Sequence, residues 1–270
     1  MSRVAHSLLF VPGHRPDRFD KAAASGAHEV VLDLEDAVAP AAKAEARGHV
    51  ASWLATGRQA FVRINAAQTA WYEDDIRMLQ SVASANVMLP KADPDSLART
   101  VSRLNGRRLI ALLETVDGYM DLREVAAVHG VERIAFGSVD FSAESGIADE
   151  GEAMTAVRTQ IVLVSRYAGL AAPVDGVSVN FNDNDRMRAD ALRSRQLGFG
   201  GKLCIHPGQV AATNAAFRPS REEIEWAQRV QSAFEASGGA ATAVDGKMID
   251  KPVVDRARRI LAEAALHGTD

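Results

Sequence analysis

Apolar residues come in short blocks along this chain, and the blocks recur at regular spacing. "SLLFVPG" (7–13), "EVVLDLED" (29–36), "AFVRINA" (60–66), "NVMLPKA" (86–92), "LIALLET" (109–115), "RIAFGSVD" (133–140), "VDGVSVNF" (174–181) and "KLCIHPG" (202–208) make eight of them. None alternates cleanly, which fits strands covered on both faces. Between the blocks run stretches with charges at helical spacing, such as "AAKAEARGHVASWLA", "DSLARTVSRL" and "MTAVRTQIVLVSRYAG", with Gly and Pro at the joins. A helix also follows the eighth block, in "PGQVAATNAAF". Eight strand–helix units predict an α/β fold, a closed (β/α)8 TIM barrel over residues 1–219, in preference to a doubly wound open sheet.

Residues 220–270 exceed what a barrel needs for closure. "SREEIEWAQRVQSAFEAS" reads as a helix capped by Ser220, with Glu223 three residues on. "GGAATAVDGKMIDKP" reads as small, Gly-rich and irregular, and "VVDRARRILAEAAL" as a last helix. This tail is expected to act as a lid, or as an arm reaching a neighbouring subunit.

Composition narrows the class. The 270 residues are 47% hydrophobic and 24% charged, with a net charge of -4. That is a globular composition, and no basic or aromatic-basic tract points to nucleic acid. Cys204 is the single cysteine, which excludes an intrachain disulfide and a cysteine-rich zinc cluster. The first apolar block is broken by Pro12 and Gly13, too short for a secretory segment, and no stretch has the length of a membrane span. A cytoplasmic protein is expected. G-x-S-x-G, G-x-G-x-x-G and P-loop patterns are not found.

Candidate chemistry collects where the blocks end, because the C-terminal ends of barrel strands share one mouth. Glu114 and Asp140 are read as standing at equivalent positions on adjacent strands, roughly 5 Å apart. Carboxylates that close need a proton or a cation between them, and all-oxygen ligation favours Mg²⁺, or Mn²⁺, over Zn²⁺. Each could instead cap the helix that follows. Asp33, Glu35 and Asp36 are helix-start caps, holders of metal-bound water, or partners of Lys43 or Arg47. Arg63, inside an otherwise buried block, either faces an anionic substrate or pairs internally with Asp33 or Glu35. Lys91 is a second anchor; so many acids nearby argue against the lowered pKa a Schiff-base lysine needs. His206 reads as structural and Cys204 as a packed small side chain.

The stretches "SLLFVPGHRPDRFDKA", "VVLDLEDAVAPAAKAEAR", "VRIN", "VMLPKA", "LLET", "CIHPGQV" and "DGKMIDKPVVDRARRI" occur in the order found in the HpcH/HpaI aldolase group. The chain resembles its citrate lyase beta-like members, relatives of the malyl-CoA, citramalyl-CoA and citryl-CoA lyases. The resemblance implies that Glu114 and Asp140 bind Mg²⁺ and that Arg63 faces the substrate carboxylate and the enolate. It implies that Asp36, with Glu35 beside it, acts through metal-bound water, and that Asp250 donates a proton from a neighbouring subunit. It also implies a homotrimer or a dimer of trimers. The activity it implies is reversible carbon–carbon cleavage of a 3-hydroxy acid or its coenzyme A thioester. A CoA-free aldolase, a thioesterase and a non-catalytic CoA- or carboxylate-binding subunit are the alternatives. Arg15, Arg18 and Lys21 are the candidates for the CoA phosphates. The chain departs from the group's pattern at His6, at Val139, where a glutamate is usual, and in "SVNFNDND"; all three departures are expected at the mouth.

Overall fold

A computed structural model describes residues 5–104 and 106–267. The outer ends of the two sequence spans, residues 1–4 and 268–270, lie outside the described residues. The chain divides into two compact units, one reaching Asn214 and one beginning at Ala215.

The first unit is a closed barrel of eight parallel strands in sequential order. They are β1 (Ser7–Pro12), β2 (Glu29–Asp33), β3 (Ala60–Arg63), β4 (Ala85–Leu89), β5 (Leu109–Leu113), β6 (Val131–Phe136), β7 (Val174–Asp175) and β8 (Gly201–Cys204). The helices of this unit are α1 (Phe19–Ala23), α2 (Lys43–Leu54), α3 (Tyr72–Ser81), α4 (Pro94–Arg103), α5 (Val116–Met120), α6 (Leu122–Ala127), α7 (Ser138–Ser145), α8 (Glu152–Tyr167), α9 (Asn184–Leu197) and α10 (Gly208–Phe217), the last crossing into the second unit. Every apolar block contributes a strand, as the pattern predicts. The seventh is the exception in length: only Val174 and Asp175 pair, and "SVNF" leaves the sheet.

Strands enclosed by helices outside and by one another inside bury both faces, so β5 has no exposed residue. Leu8, Val31, Phe61, Met88, Ile110, Ala135, Val174 and Leu203 fill the interior. Each such side chain withdrawn from water contributes roughly 1.5–3 kcal/mol. The joins follow local rules. Asp93 caps α4 by accepting from Ser96 N, Ser96 Oγ returns the contact to Asp93 N, and Pro94 occupies the first turn. At the N-terminal end of the barrel, Arg133 is buried and donates to the carbonyls of Ala5 and Ala172. Burial without a carboxylate partner in contact pushes it down to about 10.

The second unit holds α11 (Arg221–Ala236), a hairpin of β9 (Thr242–Val244) and β10 (Lys247–Ile249), and α12 (Lys251–His267). Ser220 and Glu223 form the expected capping box. Ala227, Val230, Ile249, Val254, Ala257 and Ile260 make its core. The irregular segment expected here is ordered instead as antiparallel strands around Asp245-Gly246, both at positive φ (50° and 74°). Asp-Gly at a two-residue turn is the conformation such hairpins need. Among the described residues no helix is long and apolar enough to cross a membrane.

Candidate active site at the barrel mouth

Asp33 closes β2 and organises the acidic side of the mouth. Its carboxylate accepts from Glu35 N (2.9 Å) and Ala37 N (3.2 Å), which curls residues 34–37 into a tight turn. It also takes the fork of Arg63, Nε at 2.7 Å and Nη2 at 2.6 Å. The internal pairing left open for Arg63 is therefore real, and Glu35 Oε2 adds a contact 3.0 Å from Nη1. Burial works against the guanidinium's charge, but Asp33, Glu35 and Glu114 outweigh it and hold the proton more firmly. Arg63 still lines the central cavity, with Phe10 beneath it 4.8 Å from its guanidinium carbon.

Lys43 and Arg47 do not pair with the acids as sequence alone allowed. Lys43 Nζ donates to the carbonyls of Leu34 and Glu35 and to Asn65 Oδ1, so it fixes the turn's backbone. Arg47 goes to Asp74 and Asp75. The cation that reaches the cluster is Lys91, whose Nζ lies 2.6 Å from Glu35 Oε1 and 3.8 Å from Glu114 Oε1. Burial lowers its pKa, but the hydrogen bond and charge of Glu35, with Glu114 and Asp36, reverse the sign and raise it. Lys91 also carries a left-handed backbone, φ 46°. That conformation costs a β-carbon residue roughly 1–3 kcal/mol. Here it aims Lys91 N at Glu114 Oε1, 2.9 Å away.

Glu114 is 2% exposed and directly follows β5. Burial first, then the charges of Glu35 and Asp140, push its carboxyl up to about 8 despite Arg63 and Lys91. Glu35 is raised for the same leading reason. Asp140 lines the same cavity but does not occupy the equivalent strand position. Register pairs Leu113 with Phe136, so Gly137 stands opposite Glu114, and exposed Asp140 belongs to the first turn of α7. The strand ends before a residue without a side chain because Glu114 fills the space: a β-carbon on Gly137 would lie 2.6 Å from Glu114 Cβ. The two carboxylates line one cavity from different elements, Glu114 at the end of β5 and Asp140 in the first turn of α7.

The cavity has a volume of about 380 Å³. Five carboxylates (Asp33, Glu35, Asp36, Glu114, Asp140) and three cations (Lys43, Arg63, Lys91) line it or the adjoining cleft, leaving two negative charges when all are ionised. Among the described residues no group completes a hydrogen bond to Glu35 Oε2. No three His, Cys, Asp or Glu side chains are grouped as a preformed metal cage among them either. Such a site suits Mg²⁺, which takes one or two carboxylates and fills its shell with water and substrate oxygens.

Other candidates fall elsewhere. His6, expected at the mouth, precedes β1 at the opposite end of the barrel and places Nδ1 2.8 Å from Gly200 O. Arg15 is held by Asp17 (2.8 and 2.9 Å), and Arg18 and Lys21 are exposed; none of the three lines the cavity. Asp250 follows β10 and opens α12, where its carbonyl accepts from Val254 N. Cys204 is buried, its thiol pushed up to about 11 by burial, and is unreactive packing. His206 Nδ1 accepts from Gly208 N and serves the turn.

A buried network beside the site was not foreseen. Asp175 ends β7 and accepts from Arg158 Nε (2.9 Å) and from Ser194. Arg158 continues to Asp149 (2.8 Å), which accepts from Ser138 Oγ (3.0 Å) at the start of α7. The block containing Arg158 looks like an ordinary barrel helix in sequence, and nothing in its spacing marks the arginine as inward.

The fold is a TIM barrel whose mouth gathers Arg63 among acids at and just past the strand ends. Residues 6–207 match the HpcH/HpaI aldolase/citrate lyase family, and the chain belongs to it. It is 37% identical over 263 residues to a citrate lyase subunit beta-like protein of Mycobacterium tuberculosis, covering 95% of this chain and 94% of that one. It is 34% identical over 280 residues to a (3S)-malyl-CoA thioesterase of Cereibacter sphaeroides, covering 98% and 97%. The crystal structure of protein CitE from Mycobacterium tuberculosis with magnesium, acetoacetate and coenzyme A superimposes with a TM-score of 0.86 at 36% identity, covering 98% of this chain and all of that one.

Proposed function

We propose that the protein is a Mg²⁺-dependent carbon–carbon lyase that reversibly cleaves a 3-hydroxyacyl-CoA into an acyl-CoA and a 2-oxo acid. The observation that carries this reading is Glu114: a carboxylate held almost out of water, beside Arg63 and in one cavity with Asp140. Glu114 and Asp140 are the residues that would hold Mg²⁺, with Glu35 and Asp36 placed for its water ligands. When bound, the ion supplies positive charge to the substrate's carboxylate and hydroxyl oxygens.

The protein's own groups account for the rest. Cleavage would pass the hydroxyl proton to Glu35 or Asp36 at the acidic edge of the cavity, break the bond between the thioester's α-carbon and the hydroxyl-bearing carbon, turn that carbon's hydroxyl into the carbonyl of the 2-oxo acid, and leave the electron pair on the thioester fragment as an enolate. Arg63, clamped by Asp33 and unable to rotate away, meets that charge without reorganising. Asp250 of a neighbouring subunit in a trimer or dimer of trimers would return a proton to carbon. Arg15, Arg18 and Lys21, on the link that follows β1, would take the CoA phosphates; Arg15 must then leave Asp17.

The relatives support both a lyase and a thioesterase reading of such a site. Products separate them. With Mg²⁺ and malyl-CoA, citramalyl-CoA or citryl-CoA, a lyase releases a 2-oxo acid and an acyl-CoA, whereas a thioesterase releases free CoA and the hydroxy acid. Release of free CoA alone, or no turnover of any of the three, would overturn the lyase assignment.

A further inference from the structure

Of the acids that line the cavity, Asp33, Asp36, Glu114 and Asp140, only Asp140 stands on a helix. That helix, α7, has eight residues, and no side chain caps its start. A helix so short does not hold its shape unaided, so tertiary contacts must fix it. Asp140 is exposed, and its own packing does not orient it. Its direction therefore depends on what grips the first turn of α7.

Two residues of α7 are buried, Ser138 and Phe141, three apart and on one face. Phe141 meets the rings of Phe136 and Tyr119 edge-on, both at 5.5 Å, which seats the body of the helix. Ser138 fixes its beginning. On one side it is pressed against Gly176, just past β7, where a β-carbon would lie 2.3 Å from Ser138 Oγ and 2.9 Å from its Cβ. On the other, Ser138 Oγ donates to Asp149 Oδ2 (3.0 Å) in the link between α7 and α8. Asp149 is itself held twice by Arg158, Nη1 to its carbonyl (2.9 Å) and Nη2 to Oδ1 (2.8 Å). Arg158 is 2% exposed, and its Nε donates to Asp175 Oδ1 at the end of β7. The chain of contacts thus runs from the sheet to a hydroxyl two residues before Asp140.

We infer that Ser138 and Asp149, backed by Arg158, are positioning residues that set where α7 presents Asp140 to the metal. The inference rests on the metal site of the lyase reading above and adds the groups that hold one of its ligands. Partners of a ligating group that fix its orientation typically change metal affinity by about 10–100-fold when removed.

The test is calorimetric titration of Mg²⁺ into the full chain and its variants, each checked for folding by circular dichroism. Ser138→Ala removes the donor. Asp149→Ala removes the acceptor, a side chain 32% exposed, so its loss opens no hole in the core. Each should weaken Mg²⁺ binding by about tenfold or more. The double variant should match the weaker single one within about twofold, because both act through one contact. Ser142→Ala, which removes a bond to Ile147 O at the far end of α7, should change affinity by less than about twofold. Unchanged affinity in either folded single variant, additive losses in the double, or an equal loss in Ser142→Ala overturns the assignment. Asp140→Asn separates that failure from failure of the metal site. Weakened Mg²⁺ binding in Asp140→Asn keeps the metal site standing whatever Ser138 does. Unchanged binding there, or no Mg²⁺ binding by the parent, overturns both.

Discussion

Gly137 and Glu114 occupy one space: a β-carbon on Gly137 would stand 2.6 Å from Glu114 Cβ and 2.7 Å from its Oε2. The requirement is steric, since φ at Gly137 is -84°, open to any residue. Neither group can yield cheaply. Glu114 is anchored by Lys91 N, and Gly137 N is committed to Leu113 O at 2.8 Å. Gly137→Ala should therefore displace the carboxylate at a cost of about 1–3 kcal/mol and lower Mg²⁺ affinity by about tenfold or more. Calorimetric titration with Mg²⁺, alongside a circular dichroism spectrum, checks this. Unchanged affinity in a folded variant would show that Glu114 is not a ligand or that the strand end moves freely.

Replacing Glu114 by Gln keeps the shape and removes the charge. Glu114, with its proton-holding pKa near 8, already resembles a neutral group at pH 7 when no cation is bound. The variant should match the parent in melting temperature without Mg²⁺. With Mg²⁺ at 100 times its dissociation constant, the parent should gain about 2.7 kcal/mol and the variant nothing. An equal Mg²⁺-induced shift in both proteins would remove Glu114 from the metal site.

The Asp175–Arg158 pair gives a pH-dependent stability with a definite sign. Burial raises the pKa of Asp175, but the charges of Lys202 and Arg158 and the Ser194 hydrogen bond overcome it and leave it below its usual value. A carboxylate depressed in the folded state stabilises above its unfolded pKa, about 3.9, and loses that contribution as pH falls through the folded value. Asp175→Asn leaves Lys202 buried without its nearest carboxylate and Arg158 with Asp149 alone, and should cost about 3 kcal/mol at pH 7. Urea unfolding of both proteins from pH 7 to pH 3 should show the gap narrowing only below about pH 4. A gap that is constant over that range would mean that the carboxylate's charge is not what stabilises.

The barrel was legible because each strand is an apolar block closed by polar or turn residues, and eight such blocks admit few topologies. That Arg63, Glu114 and Asp140 share the barrel mouth was legible too, since charge at the end of an apolar block is conspicuous. Their arrangement was not. Equal spacing from the blocks suggested equal positions for Glu114 and Asp140, but the sheet ends at Phe136 and the chain turns into α7 before Asp140. Lys91's left-handed backbone and Gly137's steric role depend on contacts between strands, which one-dimensional pattern does not encode. The β9–β10 hairpin had a local signal in Asp245-Gly246, masked by small residues of poor strand propensity around it. His6 was misassigned because adjacency to a strand does not reveal which end faces the mouth.

Asp250 tests the assembly as well as the chemistry. It stands between β10 and α12, in a unit with its own core of Val230, Ile249, Val254 and Ala257. If a neighbouring subunit lends this carboxyl to each mouth, Asp250→Asn and Glu114→Gln chains are each inactive alone but complementary in one ring. An Asp250→Asn chain retains Glu114, and a Glu114→Gln neighbour retains Asp250. Random assembly of equal amounts into cyclic trimers gives a working mouth half the time for the first condition and half for the second. Co-expression, or dissociation and reassembly, should thus restore about a quarter of parental activity. Mass measurement of the reassembled species reports the chain count in the same sample. Mixed trimers with no restored turnover would exclude a donation from the neighbour, and substantial activity in Asp250→Asn alone would exclude Asp250 as the proton donor.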